Sequence, residues 1–276
     1  MNMKHLKKII VFLCLIFVLF TACSGPFSPG LGQGQFSITY INMDGARNHV
    51  SNPVMYNISE RDITLKSPAK ASVYFVCWRL NTSSGKPVSS IPAGSGGHKT
   101  FYAQWTTTEE FNVIAETNRV RTKPKDYASM LEAELSTITN SATRSKYEDA
   151  IATLNAATVR DPVNFERGLY FAARDHADDL IKTNTFSHDS SNGTTFSQRI
   201  RLYGTPLSSA GENIAGGTNQ NTGAKVVKQW VLSPGHLGNI LNGNYTQLGA
   251  SLVSGHRTYN WISVQDFARN FISTPL

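Results

Sequence analysis

The rhythm of apolar positions changes once along this chain, near Thr106. From Gln35 to Trp105 they come in short β-branched and aromatic runs: F-S-I-T-Y-I, V-M-Y-N-I, A-S-V-Y-F-V-C-W and K-T-F-Y-A-Q-W. Clusters of Gly, Pro, Ser and Asn divide these runs, which predicts strands joined by turns. Beyond Thr106 the period lengthens to that of a helix. Thr108 is placed to cap one, with Glu109 and Glu110 complementing its dipole. Pro124 can open a second, Lys125 to Leu135, with Tyr127, Met130, Leu131 and Leu135 on one face. Ser136 to Arg144 reads as polar loop and Tyr147 to Leu154 as a short helix. Phe165 to Lys182 is amphipathic through Leu169, Ala172, Ala173, His176, Ala177 and Leu180. A helix over Thr195 to Tyr203 and a short strand around Glu212, Ile214 and Ala215 follow. Lys225 to Leu232 carries a helical stripe of Val226, Val227, Trp230 and Val231, stopped by Ser233-Pro234-Gly235. Gln247 to Val253 and Tyr259 to Ala268 read as paired strands around a turn at Ser254-Gly255-His256-Arg257, with Val264 and Phe267 inward.

Two histidines and a glutamate fall near the breaks in this pattern. His188 precedes a Ser/Asn/Gly loop, Glu212 opens the short strand, and His236 follows the Pro-Gly stop, where the backbone of a bend would aim its ring. Its plainer role is to cap the preceding helix. The offsets from His188 to Glu212 and from Glu212 to His236 are both 24 positions, so all three can return to one cleft. Two imidazoles and a carboxylate suit an open divalent metal site, such as zinc, or a base with an orienting partner. Ser233 lies three residues before His236, but its place at a helix end before Pro234 points to helix termination. An orienting acid and an oxyanion hole for a serine triad cannot be placed from the residues. His176, on an apolar helix face, is assigned a core or hydrogen-bonding role, and His256, in a polar turn, the surface.

The words F-S-H, G-E-N-I-A, W-x-x-S-P-G-H-x-x-N-I-L and L-G-A-S-L-V, with Asn118 and Arg121 as N-x-x-R, resemble the bacterial branch of the CAP superfamily (SCP domain). That resemblance, over Phe111 to Phe271, implies an α-β-α sandwich whose central cleft holds two His and two Glu. It puts His188, Glu212 and His236 at three of those four positions. Where many eukaryotic members carry the second Glu, this chain has Ser233, three positions after Trp230. The family is mostly secreted and non-enzymatic, which implies a binding cleft lined by His188, Glu212, His236 and Ser233 for a lipid, peptide, cell-wall or metal-linked ligand. The alternative is a hydrolase in which the histidines hold a metal or water and Glu212 acts as base or orienter. I-T-Y-I-N-M-D-G and S-I-P-A-G-S-G-G-H-K-T-F-Y-A-Q-W resemble one internalin-type B repeat, a β-grasp-like module, with Trp78, Phe101, Tyr102 and Trp105 as its core. The expected fold class is α+β: a β domain over residues 35–105 and a CAP domain over 106–276.

The start of the chain changes the picture of location. Lys4, Lys7 and Lys8 precede an apolar run, Ile9 to Phe20, too short to span a membrane, and then Thr21-Ala22-Cys23. Small residues before Cys23 resemble a lipobox, with Phe20 where Leu is usual. The resemblance implies removal of residues 1–22 as a signal peptide, lipid on Cys23, a Pro/Gly tether to residue 34, and a cell-envelope lipoprotein. The mature chain then carries 23 basic against 19 acidic residues, a net +4. That excess is spread thinly and has no nucleic-acid motif, so nucleic acid is not an expected partner. Cys77, alone in the mature fold, leaves it without an internal disulfide and reads as a buried small hydrophobe. Labelled fatty acid fed to cells should enter the wild-type protein and be lost from Cys23→Ser; unchanged labelling would refute lipidation.

Overall fold

The computed structural model describes residues 34–205 and 208–276; the basic start, the apolar run, Cys23 and most of the tether lie outside the described residues. The first half is built of strands β1 (Gln35–Ile41), β2 (Met55–Asn57), β3 (Ile63–Thr64), β4 (Phe75–Leu80), β5 (Pro87–Val88), β6 (Ser90–Ile91) and β7 (Lys99–Trp105). Five form a sheet in the order β2-β1-β7-β4-β5, with β1 and β7 parallel, and β3 pairs with β6. Ile38, Tyr56, Trp78, Ile91 and Phe101 fill the core on one face. Strand alternation sends Phe101 and Ala103 into that core and Tyr102 and Gln104 to the opposite face. Of the four aromatics expected inside, Trp78 and Phe101 are buried and Trp105 packs partly; Tyr102 does not belong to the core.

The second half comprises α1 (Thr108–Thr122), α2 (Pro124–Leu135), α3 (Ser141–Ala156), β8 (Asn164–Phe165), α4 (Arg167–Thr183), α5 (Phe196–Arg201), β9 (Gly204–Thr205), β10 (Ala210–Gly217), α6 (Gly223–Val231), α7 (Pro234–Ile240), β11 (Gln247–His256), β12 (Asn260–Ala268) and β13 (Ile272–Ser273). Three of the boundaries that differ from expectation have a local cause. The cap of α1 is Thr107: its hydroxyl accepts from Glu110 N at 3.1 Å, and Glu110 Oε2 accepts from Thr107 N at 2.8 Å. This reciprocal box needs Thr and Glu three apart, which Thr108 lacks. Helix α3 starts at Ser141, because Asn140 Oδ1 accepts from Thr143 N at 2.9 Å; its first turns are exposed and polar, so they read as loop. Ser233-Pro234-Gly235 ends α6 but also begins α7, since proline at the first helical position has the right φ and sacrifices no intrahelical bond.

The main sheet has the order β10-β12-β11-β8, with β10 at one edge. Alternate residues face two helical layers. Ala215, Leu248, Ala250, Leu252 and Phe267 pack with α1, α2, α3, α6 and α7, while Ile214, Ile262 and Val264 pack with α4. Helix α4 approaches β11 so closely that a Cβ on Gly249 would lie 2.0 Å from Tyr170 N. Arg121, fully buried, donates to the carbonyls of Asp161, Ile240, Asn242 and Tyr245, tying α1 to the end of α7. Asn118 bonds the backbone of Val163 in both directions.

The two halves touch. Tyr74 stacks on Phe165 with ring centres 4.6 Å apart, and Val76 and Cys77 pack against Tyr170, Phe171 and Leu276. Cys77 is buried, as expected, and burial pushes its thiol pKa up. Among the described residues no helix is long and apolar enough to cross a membrane. Gly249→Ala must force α4 away from β11, so urea unfolding should show a loss of about 3 kcal/mol, the upper end of overpacking costs. An unchanged midpoint would mean that this approach is not close in solution.

Candidate functional site

Glu212 and Asp266 sit opposite each other in the β10–β12 ladder, on the face covered by α4, and Asn213 and Gln265 are the next pair, on the other face. This register divides the site into a carboxyl layer and an amide layer. In the carboxyl layer Glu212 is buried, and Arg199, 3% exposed, pairs with its Oε2. His188 Nδ1 lies 2.7 Å from Glu212 Oε1. A buried carboxylate needs such partners, because one without them would bear an uncompensated desolvation cost. Arg199 is aimed by α5, which Thr195 and Gln198 begin with a capping box, and it also donates to His188 O and to Ser190 Oγ at 2.9 Å. One guanidinium thus holds both the carboxylate and the loop that presents His188.

That loop is tied at several further points. His176 Nε2 lies 2.8 Å from Ser187 O, and His256 Nε2 lies 3.2 Å from Thr185 O. Asp179 accepts from Ser191 N and Oγ. His176 has the hydrogen-bonding role expected of it. His256 does not lie on the surface: it is 2% exposed, and its Nδ1 accepts from Thr258 N and Tyr259 N. The β11–β12 turn folds back over the end of α4, and a hydropathy pattern does not carry that contact.

In the amide layer Asn213 Nδ2 donates to Gln265 Oε1 at 2.9 Å and to His236 O at 3.2 Å. Asn239 Nδ2 donates to Asn213 Oδ1 at 2.8 Å and to Glu212 O at 3.2 Å. Gln265 Nε2 donates to Thr117 Oγ1 on α1 at 2.7 Å. This chain seats α7 beside β10. His236 therefore belongs to the first turn of a helix rather than to an irregular bend. Gly211 leaves room for the arrangement, since a Cβ there would lie 2.4 Å from Tyr245 Oη.

The charges divide unevenly. The bond to Glu212 raises the His188 pKa. Burial, with the His188 charge second, lowers that of His236. Asp266 is fully buried and neither oxygen has a donor, apart from what the neighbouring Glu212 can share. Burial first, and the Glu212 charge second, raise its pKa well above the usual carboxylate range. Of the pair, Asp266 is thus the one pushed towards its neutral form, while Glu212 faces Arg199. Among the described residues no three or more His, Cys, Asp or Glu side chains are disposed to hold a metal ion. Glu212 is bonded to both Arg199 and His188, so its oxygens are already partnered.

Of the residues expected here, His188 and Glu212 bond directly, and His236 is near enough to feel the charge on His188. Ser233 caps the start of α7 without a side-chain cap bond. Arg199 and Asp266 were not anticipated. Asp266 left a trace, a lone carboxyl inside the apolar run I-S-V-Q-D-F-A. Arg199 left none, since Arg201 two positions on is equally basic.

Residues 114–267 match the Cysteine-rich secretory protein family, CAP. The chain belongs to that family. It is 37% identical over 92 residues to the uncharacterized protein YkwD of Bacillus subtilis strain 168, covering 33% of this chain and 35% of that one. It is 26% identical over 238 residues to the uncharacterized membrane protein YlbC of the same organism, covering 86% and 64%. The chain thus spans about a third and just under two thirds of these curated relatives. Among solved structures, an extracellular SCP-domain protein from Bacillus anthracis str. Ames is 28% identical with a TM-score of 0.34, over 40% of this chain and 35% of that one. An outer surface protein of Borrelia burgdorferi is 23% identical with a TM-score of 0.36, over 46% and 89%.

The state of Asp266 has a pH signature. Between the ordinary aspartate value of about 3.9 and its own raised value, the native protein binds one more proton than the unfolded chain, so this group's stabilisation is present below that window and is lost as pH rises through it. Asp266→Asn needs no proton. Relative to wild type in urea unfolding from pH 4 to 8, it should gain stability as pH rises, by up to about 1.4 kcal/mol per pH unit. A difference independent of pH would mean that Asp266 is ionised in the native state.

Proposed function

We propose that this chain is an exported, envelope-associated CAP protein whose cleft binds a ligand, a lipid, a peptide or a cell-wall fragment, without turning it over. The observation that carries this reading is the full commitment of Glu212 to Arg199 and His188. A carboxylate facing a buried guanidinium is a poor general base and a poor metal ligand. What remains for a ligand is His188, whose raised pKa favours a cationic donor, and His236, whose lowered pKa favours a neutral ring that donates or accepts. That pair suits a ligand with an anionic or carbonyl oxygen. A hydrolase would need a nucleophile bonded to one of these histidines, and Ser233 has no such bond. Location at the envelope rests on the export and lipobox pattern, with Cys23 as the membrane anchor; YlbC, described as a membrane protein, is in keeping with it.

The test uses full-length protein in detergent, titrated separately with phosphatidylglycerol vesicles, muramyl dipeptide and zinc, beside a chromogenic ester and peptide panel. Binding of one organic probe, weakened about tenfold by His188→Ala and by His236→Ala, with no turnover, is the expected result. Turnover lost in His188→Ala would establish the hydrolase instead. Zinc binding lost in both alanine variants and strengthened by Ser233→Glu would restore the metal centre. Equal weak zinc binding by all variants would place any metal elsewhere.

A further inference from the structure

A second concave surface lies in the first half, largely on the sheet face opposite its core, with Trp105, which also packs against that core, at the end of β7. Strands β4 and β7 and the segments flanking β1 and β4 enclose a hollow of about 650 Å3, lined by Tyr102, Trp105, Arg79, Lys70, Gln104 and Asp44 among others. Strand alternation puts Tyr102 and Gln104 here, and Arg79 pairs with Tyr102 across the β4–β7 ladder. We propose that this hollow is a binding site for a saccharide bearing a carboxylate.

The argument begins with what is held still and what is left unused. Gln104 Oε1 accepts from Arg79 Nε at 2.6 Å and from the Cys77 thiol at 3.2 Å, and Arg79 Nη1 donates to Gly85 O at 2.9 Å. These bonds fix Arg79 and leave its Nη2 donors and the Gln104 amide NH2 without protein partners among the described residues. The Tyr102 hydroxyl and the Asp44 carboxylate likewise bond no described residue. Trp105 is oriented by its Nε1 bond to Asn42 O at 2.9 Å, and Lys70 Nζ lies 5.9 Å from its ring centre.

Two partly buried aromatic side chains, Tyr102 and Trp105, line the hollow, and aromatic rings of this kind are the surfaces on which the C–H bonds of a sugar ring pack. A planar amide, a hydroxyl and a carboxylate at the rim match ring hydroxyls, which both donate and accept. Arg79 and Lys70 against one Asp44 leave a net positive hollow, and the Nη2 donors of a fixed guanidinium offer a carboxylate charge-assisted hydrogen bonds. Because Arg79 is already pinned, little ordering cost falls on binding. Half the lining is polar in kind, which disfavours an acyl chain and fits a hydroxylated ring.

The test is calorimetry on the full-length protein with three probes: a hyaluronan tetrasaccharide, neutral cellotetraose, and acetate. The hyaluronan fragment should bind at least about tenfold more tightly than cellotetraose, and acetate should not bind measurably. Tyr102→Ala, which removes a hydroxyl that hydrogen-bonds no described residue, and Arg79→Gln should each weaken the fragment about tenfold, Lys70→Gln less, and His188→Ala not at all. Because Arg79 also holds Gln104 and Gly85, the Tyr102 variant keeps the outcome separate from folding. Equal affinity for the acidic and neutral saccharides, indifference to both Tyr102→Ala and Arg79→Gln, or no binding of the fragment at millimolar concentration would each overturn the proposal.

Discussion

Burying Glu212 in the sheet puts a charge where water cannot solvate it, and much of the site follows from what that charge requires. Arg199 must be buried with it, so α5 must begin where its capping box sets it. Arg199 then has donors to spare, and they take His188 O and Ser190 Oγ. The loop is thereby held against the strand. Asp266, directly across the ladder and fully buried, is pushed towards its neutral form by burial first and by the Glu212 charge second. Burial and, after it, the charges gathered around Glu212 thus act together: they raise the pKa of Asp266 and, with His188 as the charged neighbour, lower that of His236.

The sheet supplies the other constraint. Because side chains alternate, the carboxyl pair and the amide chain occupy opposite faces of the same two strands. They would not form one site if β10 were central. As an edge strand it lets the His188 loop, from the α4 side, and α7, from the other, approach each other around its free margin. Asn213 and Asn239 do for α7 what Arg199 does for the His188 loop. The site is positioned by hydrogen bonds between layers that hydrophobic packing alone would leave free to slide.

The β domain is joined to this frame through aromatic contact rather than through a linker alone. Tyr74 lies between Phe111 and Phe165, and Cys77 meets Tyr170 on α4. The same Cys77 thiol donates to Gln104, which holds Arg79 at the hollow of the β domain. The contact between the halves and the lining of that hollow therefore share a side chain.

Because burial of one face imposes a spacing that a linear string retains, periodicity and punctuation were enough to locate the longer strands, most of the helices, and the loop and strand bearing His188 and Glu212, though not the short helix bearing His236. Capping chemistry was nearly legible: Thr107 and Thr108 compete for one role, and only the three-residue reach to Glu110 decides between them. Arg199, Asp266 and His256 were a different matter. Each is buried by a partner 13, 54 or 71 residues away, Glu212, Glu212 again and Thr185, and nothing in local spacing marks which polar residue will find such a partner. The sequence by itself determined the elements and the chemical types available to the cleft. Only the tertiary structure decided which carboxyl is pushed towards its neutral form and which histidines bond the loop or the carboxylate, because those outcomes depend on desolvation and on neighbours that the chain brings together only by folding.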